Sequence, residues 1–339
     1  MRILITGATG YIGSHTVIEL LKKENSDLLL VDNLSNSNAS ILENIRLITG
    51  KRLELIQVDL CDPAAAETAF QSGALDGIIH FAAFKAVGES VEDPLKYYHN
   101  NIASLVNILR LCEKYRVPNF IFSSSCSVYG NVEKLPVDED TPLPEAESPY
   151  AYTKQIGERI IRDFCKVHAW FNAVSLRYFN PVGSHESGLN GELPLNKPSN
   201  LVPVITRTAI GKNKEMIVFG DDYPTRDGSC IRDYIHVSDI ANAHVLALQY
   251  LLGKKNQTNY DVFNLGTGKG ISVFEAIHAF EKVSGVKLNY RVGPQRAGDV
   301  IAVYSDSSKA RRLLGWECKY GIEEMMSSAW KWENYLQNA

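Results

Sequence analysis

The first 180 residues alternate short apolar runs with longer segments that carry helical periodicity. The apolar runs lie at 3–5, 28–31, 53–58, 77–81, 120–122 and 174–177. They do not alternate apolar with polar residues, which is typical of strands buried on both faces of a sheet. Strands separated by helix-length segments predict an α/β fold built on a doubly wound parallel sheet.

Two segments have the spacing of amphipathic helices. Between roughly 94 and 115, apolar side chains recur every three or four positions, at Ile102, Leu105, Leu109 and Cys112. The segment 150–167 repeats this pattern at Ile156, Ile160 and Phe164. Each helix can pack on the sheet alone or also contribute to a subunit interface.

After Pro181 the chain changes character. Glycine, asparagine and proline are frequent through residue 200, and shorter elements follow. We predict a large first domain over 1–180 and a smaller C-terminal α/β lobe over 181–339 that faces a substrate. The segment 231–265 could rejoin the main sheet, because it contains a helix-length run and a strand-like run at 262–265.

Composition narrows the class of protein. The chain has 339 residues, of which 45% are apolar and 22% charged, and its net charge of −4 offers no basic excess for nucleic acid. No apolar run approaches the ~18 residues of a membrane span, and the N-terminus lacks the pattern of a leader peptide. Six cysteines without a C-x-x-C pair predict free thiols, a cytoplasmic location and no metal site.

The opening stretch MRILITGATGYIGSH places Gly7, Gly10 and Gly13 between a strand and a helix. Glycines there permit a tight turn and close approach of the backbone to a pyrophosphate, which the helix N-terminus binds. Asp32 ends the next predicted strand, where a carboxylate accepts hydrogen bonds from a ribose diol. Because Asp32 would repel a 2′-phosphate and no arginine follows at once, we predict a Rossmann-type domain that binds NAD rather than NADP.

A second glycine cluster, GTGKG at 266–270, lacks the spacing of a phosphate loop. We predict that it forms a turn at the end of a strand.

The stretch SPYAYTK at 148–154 predicts a catalytic pair. Ser148 and Pro149 suit the N-cap and first position of a helix, so Tyr150 and Lys154, at i and i+4, share one face. A nearby ammonium, together with the positive ring of oxidised NAD, favours phenolate and would make Tyr150 a base for a substrate hydroxyl. Ser125 ends the serine run of FIFSSSCSVYG at the ligand-binding edge of the sheet and is a candidate partner for that hydroxyl.

These motifs together resemble the extended short-chain dehydrogenase/reductase family. The strings HFAAFKAVGES, YYHNN, RYFNPVG, FGDDYPTRDG and RDYIHVSD are similar, over essentially the whole chain, to its C4 epimerases of UDP-hexoses. The resemblance implies that NAD stays bound while UDP-galactose and UDP-glucose interconvert through a transient 4-keto sugar, with Tyr150, Lys154 and Ser125 as catalytic residues. It also implies a homodimer formed through the two amphipathic helices.

The resemblance further implies two sets of binding residues. Those for NAD are Gly7, Gly10, Tyr11, Ile12, Gly13, Asp32, Asn33, Asp59, Leu60, Phe81, Ala82, Lys85, Asn100, Tyr150, Lys154 and Tyr178. Those for the UDP-sugar are Ser125, Tyr150, Asn180, Asn200, Leu201, Ile217, Phe219, Arg232, Tyr234, Arg296, Asp299 and Val303. Two arginines suit a diphosphate, because the planar guanidinium pairs with its oxygens in a bidentate way.

Several alternatives stay open. Val303 stands where some family members have a tyrosine that narrows the sugar pocket, so UDP-N-acetylhexosamines are candidate substrates. Another UDP-sugar, such as UDP-glucuronate, would use the same C4 chemistry. A 4,6-dehydratase needs acidic groups beside the serine, where this chain has Cys126 and Ser127. A non-catalytic NAD-sensing protein would not need the three catalytic residues together, and their joint presence favours an enzyme.

Overall fold

The computed structural model describes residues 1–23, 26–193, 200–296 and 299–338. Strands and helices alternate through the first half of the chain. They are β1 (Arg2–Thr6), α1 (Tyr11–Leu21), β2 (Asp27–Asp32), α2 (Ile41–Thr49), β3 (Leu55–Gln57), α3 (Pro63–Thr68), β4 (Gly77–His80), α4 (Val87–Glu92), α5 (Pro94–Tyr115), β5 (Asn119–Ser125), a 3-10 turn (Cys126–Tyr129), α6 (Pro149–Val167) and β6 (Asn172–Tyr178).

The second half contains shorter strands between its helices. They are β7 (Asn180–Val182), α7 (Leu201–Ala209), β8 (Met216–Phe219), β9 (Ile231–His236), α8 (Val237–Leu252), β10 (Tyr260–Leu265), β11 (Gly270–Ser272), α9 (Val273–Ser284), β12 (Tyr290–Gly293), β13 (Ala302–Val303), α10 (Ser308–Leu314) and α11 (Ile322–Asn338).

A seven-stranded parallel sheet runs in the order β10-β6-β5-β4-β1-β2-β3. The chain leaves β1 towards β2 and β3 and then returns to β4 on the other side of β1. Such a reversal opens a crevice outside the carboxyl ends of the strands, where ligands bind in open α/β sheets. The predicted doubly wound parallel sheet is confirmed. The run 53–58 yields the shorter β3, because this edge strand pairs with only three residues of β2.

Apolar clusters cover both faces of the sheet, as the continuous apolar runs predict. Ile3 and Ile5 of β1 belong to the cluster on one face, whereas Leu4 belongs to the cluster on the other. Successive strand residues point to opposite faces, so each strand contributes to both cores. The two predicted amphipathic helices are confirmed as α5 and α6.

The later elements divide between the large sheet and small ones. Strand β10 pairs in parallel with β6 at the edge of the seven-stranded sheet, and α8 packs on α1. Strand β9 instead pairs with β7, β11 and β13, and β8 pairs with β12. The segment 231–265 thus contributes β9 to the four-stranded sheet and β10 to the seven-stranded sheet. The domain boundary at residue 180 stays a prediction.

A buried ion pair fixes α6 on the sheet. The guanidinium of Arg177 on β6 donates to both carboxylate oxygens of Glu158, at 2.6 and 2.8 Å, and both side chains are only 2% exposed. Ser124 of β5 donates to the same carboxylate at 2.6 Å, and Arg177 donates to the Tyr129 hydroxyl at 2.9 Å. The pair therefore ties α6 to two strands and to the 3-10 turn.

Replacing one partner of this pair should destabilise the protein strongly. Glu158→Ala leaves a buried guanidinium without its carboxylate, which costs about 3–5 kcal/mol. Arg159→Ala is the matched control, because the Arg159–Asp163 pair lies on the surface, with side chains 71% and 48% exposed; it should cost less than about 1 kcal/mol. Urea unfolding followed by circular dichroism measures both, and equal losses would contradict this account.

Candidate active site

The glycine loop lies at the carboxyl ends of β1 and β4. Gly7 has a φ of +66°, and a Cβ added there would lie 2.8 Å from the Ala82 nitrogen. A Cβ on Gly13 would lie 2.2 Å from the carbonyl oxygen of Gly7. Helix α1 begins directly after Gly10, and no side-chain hydrogen bond caps its described N-terminus. The loop therefore requires glycine at its closest contacts and presents uncapped backbone N–H groups in the crevice.

Asp32 ends β2 beside this loop. Its carboxylate accepts hydrogen bonds from the backbone nitrogens of Thr9 at 3.2 Å and Leu34 at 2.9 Å, and from the Ser37 hydroxyl at 3.1 Å. Asn33 accepts from the Ser35 nitrogen at 3.0 Å. These bonds orient the carboxylate at the edge of the sheet, where a ribose diol would meet it.

The other predicted NAD contacts lie along the same edge, because parallel strands end on one side. Tyr11 and Ile12 form the first turn of α1, Asp59 and Leu60 follow β3, and Phe81, Ala82 and Lys85 follow β4. Asn100 lies on α5, and Tyr178 is the last residue of β6. The structure thus brings residues from distant parts of the chain to one crevice.

The start of α6 matches its prediction. The Ser148 hydroxyl caps the helix by accepting from the Ala151 nitrogen at 3.2 Å, and Pro149 occupies the first turn. Tyr150 and Lys154 are 9% and 5% exposed, and the Lys154 ammonium lies 5.9 Å from the centroid of the Tyr150 ring. Tyr152, by contrast, is 47% exposed. The helix therefore directs one tyrosine inwards with the lysine and the other outwards.

The three serines that end β5 serve different purposes. The Ser123 hydroxyl contacts the Tyr178 hydroxyl, and the Ser124 hydroxyl donates to Glu158. The Ser125 hydroxyl accepts from the Ser127 nitrogen at 3.2 Å, and its interaction with Tyr150 acts to lower the pKa of that phenol. The carbonyl oxygen of Ser123 also accepts a hydrogen bond of 2.7 Å from the Lys154 ammonium. Ser125 is thus the serine placed beside the candidate base, while its neighbours hold the lysine, the tyrosine of β6 and the buried ion pair.

Burial dominates the acid–base properties of the pair. It raises the pKa of Tyr150 to about 12, although the hydrogen bond with Ser125 acts in the opposite direction. Burial also lowers the pKa of Lys154 to about 8, against the attraction of the Glu158 carboxylate. The protein's own groups therefore do not lower the Tyr150 pKa, because removing the phenolate from water costs more than the neighbouring groups return. A lower pKa through the combined charges of Lys154 and oxidised NAD stays a prediction.

His80 is a buried neighbour that sequence reasoning missed. Its Nδ1 lies 2.8 Å from the Thr6 hydroxyl, and burial together with the nearby Lys154 charge lowers its pKa to about 3. His80 is therefore neutral at physiological pH. A histidine within an apolar run reads as a strand residue, so only the fold reveals that it lies beside the lysine.

The charged residues predicted for a diphosphate converge on one carboxylate. Arg296 lies 2.6 Å and Arg232 3.8 Å from the same oxygen of Asp299. The Arg296 guanidinium lies 5.4 Å from the ring centroid of Phe219, which ends β8 and is exposed, and Ile217 lies on the same strand. Two guanidinium groups thus lie close to a single carboxylate at this end of the site.

Cys126 is electrostatically coupled both to Arg232 on β9 and to Tyr150. Burial raises the pKa of the Cys126 thiol to about 12 while the Arg232 charge acts oppositely, and Cys126 in turn influences Tyr150. Val303 on β13 is in register with Arg232 and is buried. The remaining substrate predictions lie nearby in the fold: Tyr234 pairs with Asn180 across β9 and β7, and Asn200 and Leu201 begin α7.

Asp233 is a second residue that sequence reasoning missed. Its fully buried carboxylate accepts from the nitrogens of Thr267, Gly268 and Ser305 and from the hydroxyls of Thr267 and Ser305, at 2.6–3.1 Å. It therefore holds the turn after β10 and the end of β13 against β9, next to Arg232. The GTGKG cluster at 266–270 is confirmed as a strand-end turn.

The glycine loop at the strand reversal and the tyrosine–lysine pair beside a strand-end serine place the molecule in the extended short-chain dehydrogenase/reductase class. A family model described as GDP-mannose 4,6 dehydratase matches residues 4–329.

Individual relatives narrow this class. A UDP-glucose 4-epimerase of Bacillus subtilis (strain 168) is 48% identical over 334 residues, covering 98% of this chain and 97% of that protein. The structure of UDP-glucose 4-epimerase from Stenotrophomonas maltophila, with bound NAD and formylated UDP-arabinopyranose, matches with a TM-score of 0.95 at 43% identity, over 100% of this chain and 99% of that chain. The Bifidobacterium longum enzyme, in complex with NAD+ and UDP, matches with a TM-score of 0.94 at the same identity and coverage. The chain belongs to the UDP-glucose 4-epimerase family.

Proposed function

We propose that this protein is an NAD-dependent epimerase that interconverts UDP-galactose and UDP-glucose at C4 through a transient 4-keto sugar. The observation that carries the proposal is the burial of Tyr150 and Lys154 on one face of α6, with the Lys154 ammonium bonded to the Ser123 carbonyl on the strand that ends in Ser125, at the crevice that also contains the glycine loop. Support comes from the names of the relatives and from the NAD and UDP-sugar in the Stenotrophomonas structure.

The residues at the crevice fit NAD. Added Cβ atoms at Gly7 and Gly13 would collide with backbone, so these positions keep the loop compact beneath a pyrophosphate. The N–H groups at the start of α1 would bind the pyrophosphate, and the oriented carboxylate of Asp32 would accept from the adenine ribose. When bound, oxidised NAD supplies a hydride acceptor for C4 and a positive charge near the phenol.

Tyr150 and Ser125 then handle the proton of the sugar. Ser125 donates a hydrogen bond that favours phenolate, and Tyr150 removes the C4 hydroxyl proton as hydride leaves the same carbon. Lys154, held by the Ser123 carbonyl, keeps its ammonium beside the ring. Because the pKa of Lys154 is lowered to about 8, it is largely cationic at neutral pH, and raising the pH through 8 removes the charge that favours phenolate.

The two arginines would anchor the nucleotide while C4 of the sugar is inverted. Arg232 and Arg296 would hold the diphosphate through charge-assisted bonds, which anchor the nucleotide more strongly than neutral hydrogen bonds anchor the sugar. With the nucleotide held in this way, the 4-keto sugar would be free to present either face, and bound NAD would supply the hydride chemistry that inverts C4 with no net redox change. Cys126, whose pKa is raised to about 12, is a poor acid for elimination of water, which argues against dehydratase chemistry.

Tyr150→Phe should abolish the activity while leaving the fold intact. Removing a general base lowers the rate by about 10²- to 10⁴-fold. Purified protein is mixed with UDP-galactose without added cofactor, and UDP-glucose is quantified by chromatography. Tyr152→Phe, on the exposed side of the same helix, should keep wild-type turnover. Near-normal turnover by Tyr150→Phe would disprove the assigned base, and no conversion by the wild-type protein with or without NAD would disprove the proposed function.

Val303 supports a wider substrate range. In β13 it is in register with Arg232 and belongs to the buried apolar cluster that includes Val128, just beyond the serine run. A valine has less bulk than a tyrosine, and the space gained would admit an N-acetyl group at C2 of the sugar. We therefore extend the proposal to UDP-N-acetylhexosamines.

Val303→Tyr should narrow this range. The added ring should lower turnover of UDP-N-acetylgalactosamine at least ten-fold relative to UDP-galactose, since a steric clash of about 1.4 kcal/mol is a ten-fold loss. Val303→Leu, a smaller change, is the control. Turnover rates are measured in parallel with UDP-galactose and UDP-N-acetylgalactosamine. No detectable turnover of UDP-N-acetylgalactosamine by the wild-type protein would contradict the proposed activity on UDP-N-acetylhexosamines.

We propose further that the protein forms a homodimer and is located in the cytoplasm. Apolar side chains stand exposed on α4 and at the start of α5, among them Val87, Val91 and the 76% exposed Leu95. Exposed apolar patches of this kind typify protein interfaces.

The proposed location in the cytoplasm is supported by the cysteines. All six are free thiols, which suits a reducing compartment. Cell fractionation tests the location. Within the described ranges, no helix is long and apolar enough to span a bilayer.

Sedimentation equilibrium should give about twice the chain mass of 37.7 kDa. Leu95→Glu should weaken self-association at least ten-fold, since burying an unpaired carboxylate costs more than about 1.4 kcal/mol. Leu47→Glu, at an exposed leucine of α2, is the control and should leave the dimer unchanged. A wild-type mass of 37.7 kDa at micromolar concentration would contradict the homodimer.

A further inference from the structure

A tightly anchored turn presents Glu192 to the crevice. The turn closes on itself through the bridge between Ser184 and Gly191 and through a 2.7 Å bond from the His185 nitrogen to the Asn190 carbonyl. The Asn190 amide donates to the Ser14 hydroxyl of α1 at 3.1 Å. The backbone before Glu192 is therefore held against α1 and has little freedom.

A second anchor fixes Glu192 itself. The indole of Trp332 on α11 donates to the carbonyl oxygen of Glu192 at 2.8 Å. A Cβ on the preceding Gly191 would lie 2.5 Å from the Trp332 ring, so glycine allows this close approach. Two helices from opposite ends of the chain thus determine where the Glu192 side chain begins.

One oxygen of the Glu192 carboxylate bonds to both predicted ligand sets. It accepts from the Lys85 ammonium at 2.8 Å and from the Asn200 amide at 3.2 Å. Lys85 belongs to the predicted NAD residues and Asn200 to the predicted UDP-sugar residues. The Glu192 side chain is only 13% exposed, whereas that of Lys85 is 47% exposed. A mostly buried carboxylate therefore joins a residue from each side of the crevice.

The side chains of Lys85 and Asn200 make contacts that their local sequence does not explain. Asn200 is the N-cap residue of α7, where asparagine ordinarily bonds to its own helix, yet it makes no side-chain cap bond and donates to Glu192 instead. The Lys85 ammonium also lies 5.8 Å from the ring centroid of Tyr11, at the start of α1. Local preferences given up in this way typically mark functional positions.

We propose that Glu192 is a positioning residue that couples the two sides of the site, holding Lys85 towards the cofactor and Asn200 towards the UDP-sugar. This inference rests on the proposed function, because it concerns the same crevice. The Glu192 carboxylate orients the long, flexible side chain of Lys85, whose ammonium would otherwise be disordered in solvent. It also turns Asn200 away from its helix, which leaves the N-terminus of α7 open towards the substrate side.

Glu192→Gln tests this role with little change in shape. Loss of the charge weakens both bonds, so we expect KM for UDP-galactose and the Kd of UDP to rise about ten-fold, because hydrogen bonds to a charged group are stronger than those to a neutral one. The kcat should stay within about three-fold, because Glu192 touches none of the reacting atoms. Glu186→Gln is the matched control: it removes the same charge from the same turn, but Glu186 is exposed, and among the residues that the structure describes its hydrogen bond to Lys331 involves the backbone carbonyl and not the carboxylate.

A double-mutant cycle identifies the path of the effect. If Glu192 acts through Lys85 and Asn200, adding Glu192→Gln to a Lys85→Met, Asn200→Ala background should change the UDP Kd less than about two-fold. UDP Kd values come from calorimetry on the NAD-loaded protein, and melting temperatures are recorded for every variant. A Glu192→Gln protein with wild-type KM and Kd would overturn the proposal, as would a loss of kcat that tracks a lower melting temperature.

Failure of the proposed function gives a different result. A wild-type protein that binds UDP but does not convert UDP-galactose would disprove epimerisation, while the UDP Kd values would still decide whether Glu192 positions its two partners. The bound NAD per subunit after desalting supplies a readout independent of turnover. UDP should increase NAD retention in the wild-type protein and in Glu186→Gln, and should have no such effect in Glu192→Gln.

Discussion

The buried pair between Glu158 and Arg177 is the constraint on which the catalytic geometry depends. It connects α6 to β6, and the Ser124 bond to the same carboxylate adds β5. Tyr150 and Lys154 lie on α6 two turns and one turn before Glu158, so the pair fixes how both face the end of β5. A surface pair could not do this, because water would compete for each bond. Precision here comes from burial, which removes water as a competing partner of both charges.

The two ends of the crevice are shaped by different physical interactions, close packing at one and charged side chains at the other. At the glycine loop, added Cβ atoms would collide with backbone, so close packing rather than charge shapes the surface. At the other end, Arg232 and Arg296 share Asp299, and long polar side chains provide the contacts. A cofactor retained through a reaction suits the first environment, and a diphosphate that must enter and leave suits the second. The tyrosine–lysine pair lies between them.

Local spacing was sufficient to predict the parallel sheet, the glycine loop, the helices α5 and α6 and the inward direction of Tyr150. These features depend on neighbours in sequence, such as Ser148 capping the helix that carries Tyr150. Asp233, His80 and Glu192 could not be predicted in this way, because their partners lie far away in the chain. The rise in the Tyr150 pKa was also missed, since a sequence does not report burial. The individual binding residues remain predictions.

The fully buried Asp233 carboxylate has a consequence for motion during the reaction. Because five hydrogen bonds immobilise it, the backbone of β9 that carries the adjacent Arg232 is rigid as well. A swivelling pyranose would then have to pivot about its own glycosidic and phosphoester torsions, with the nucleotide acting as a stationary tether. Inversion at carbon would thus depend on the conformational freedom of the ligand, and a rigid analogue of the sugar–phosphate linkage would be bound without being turned over.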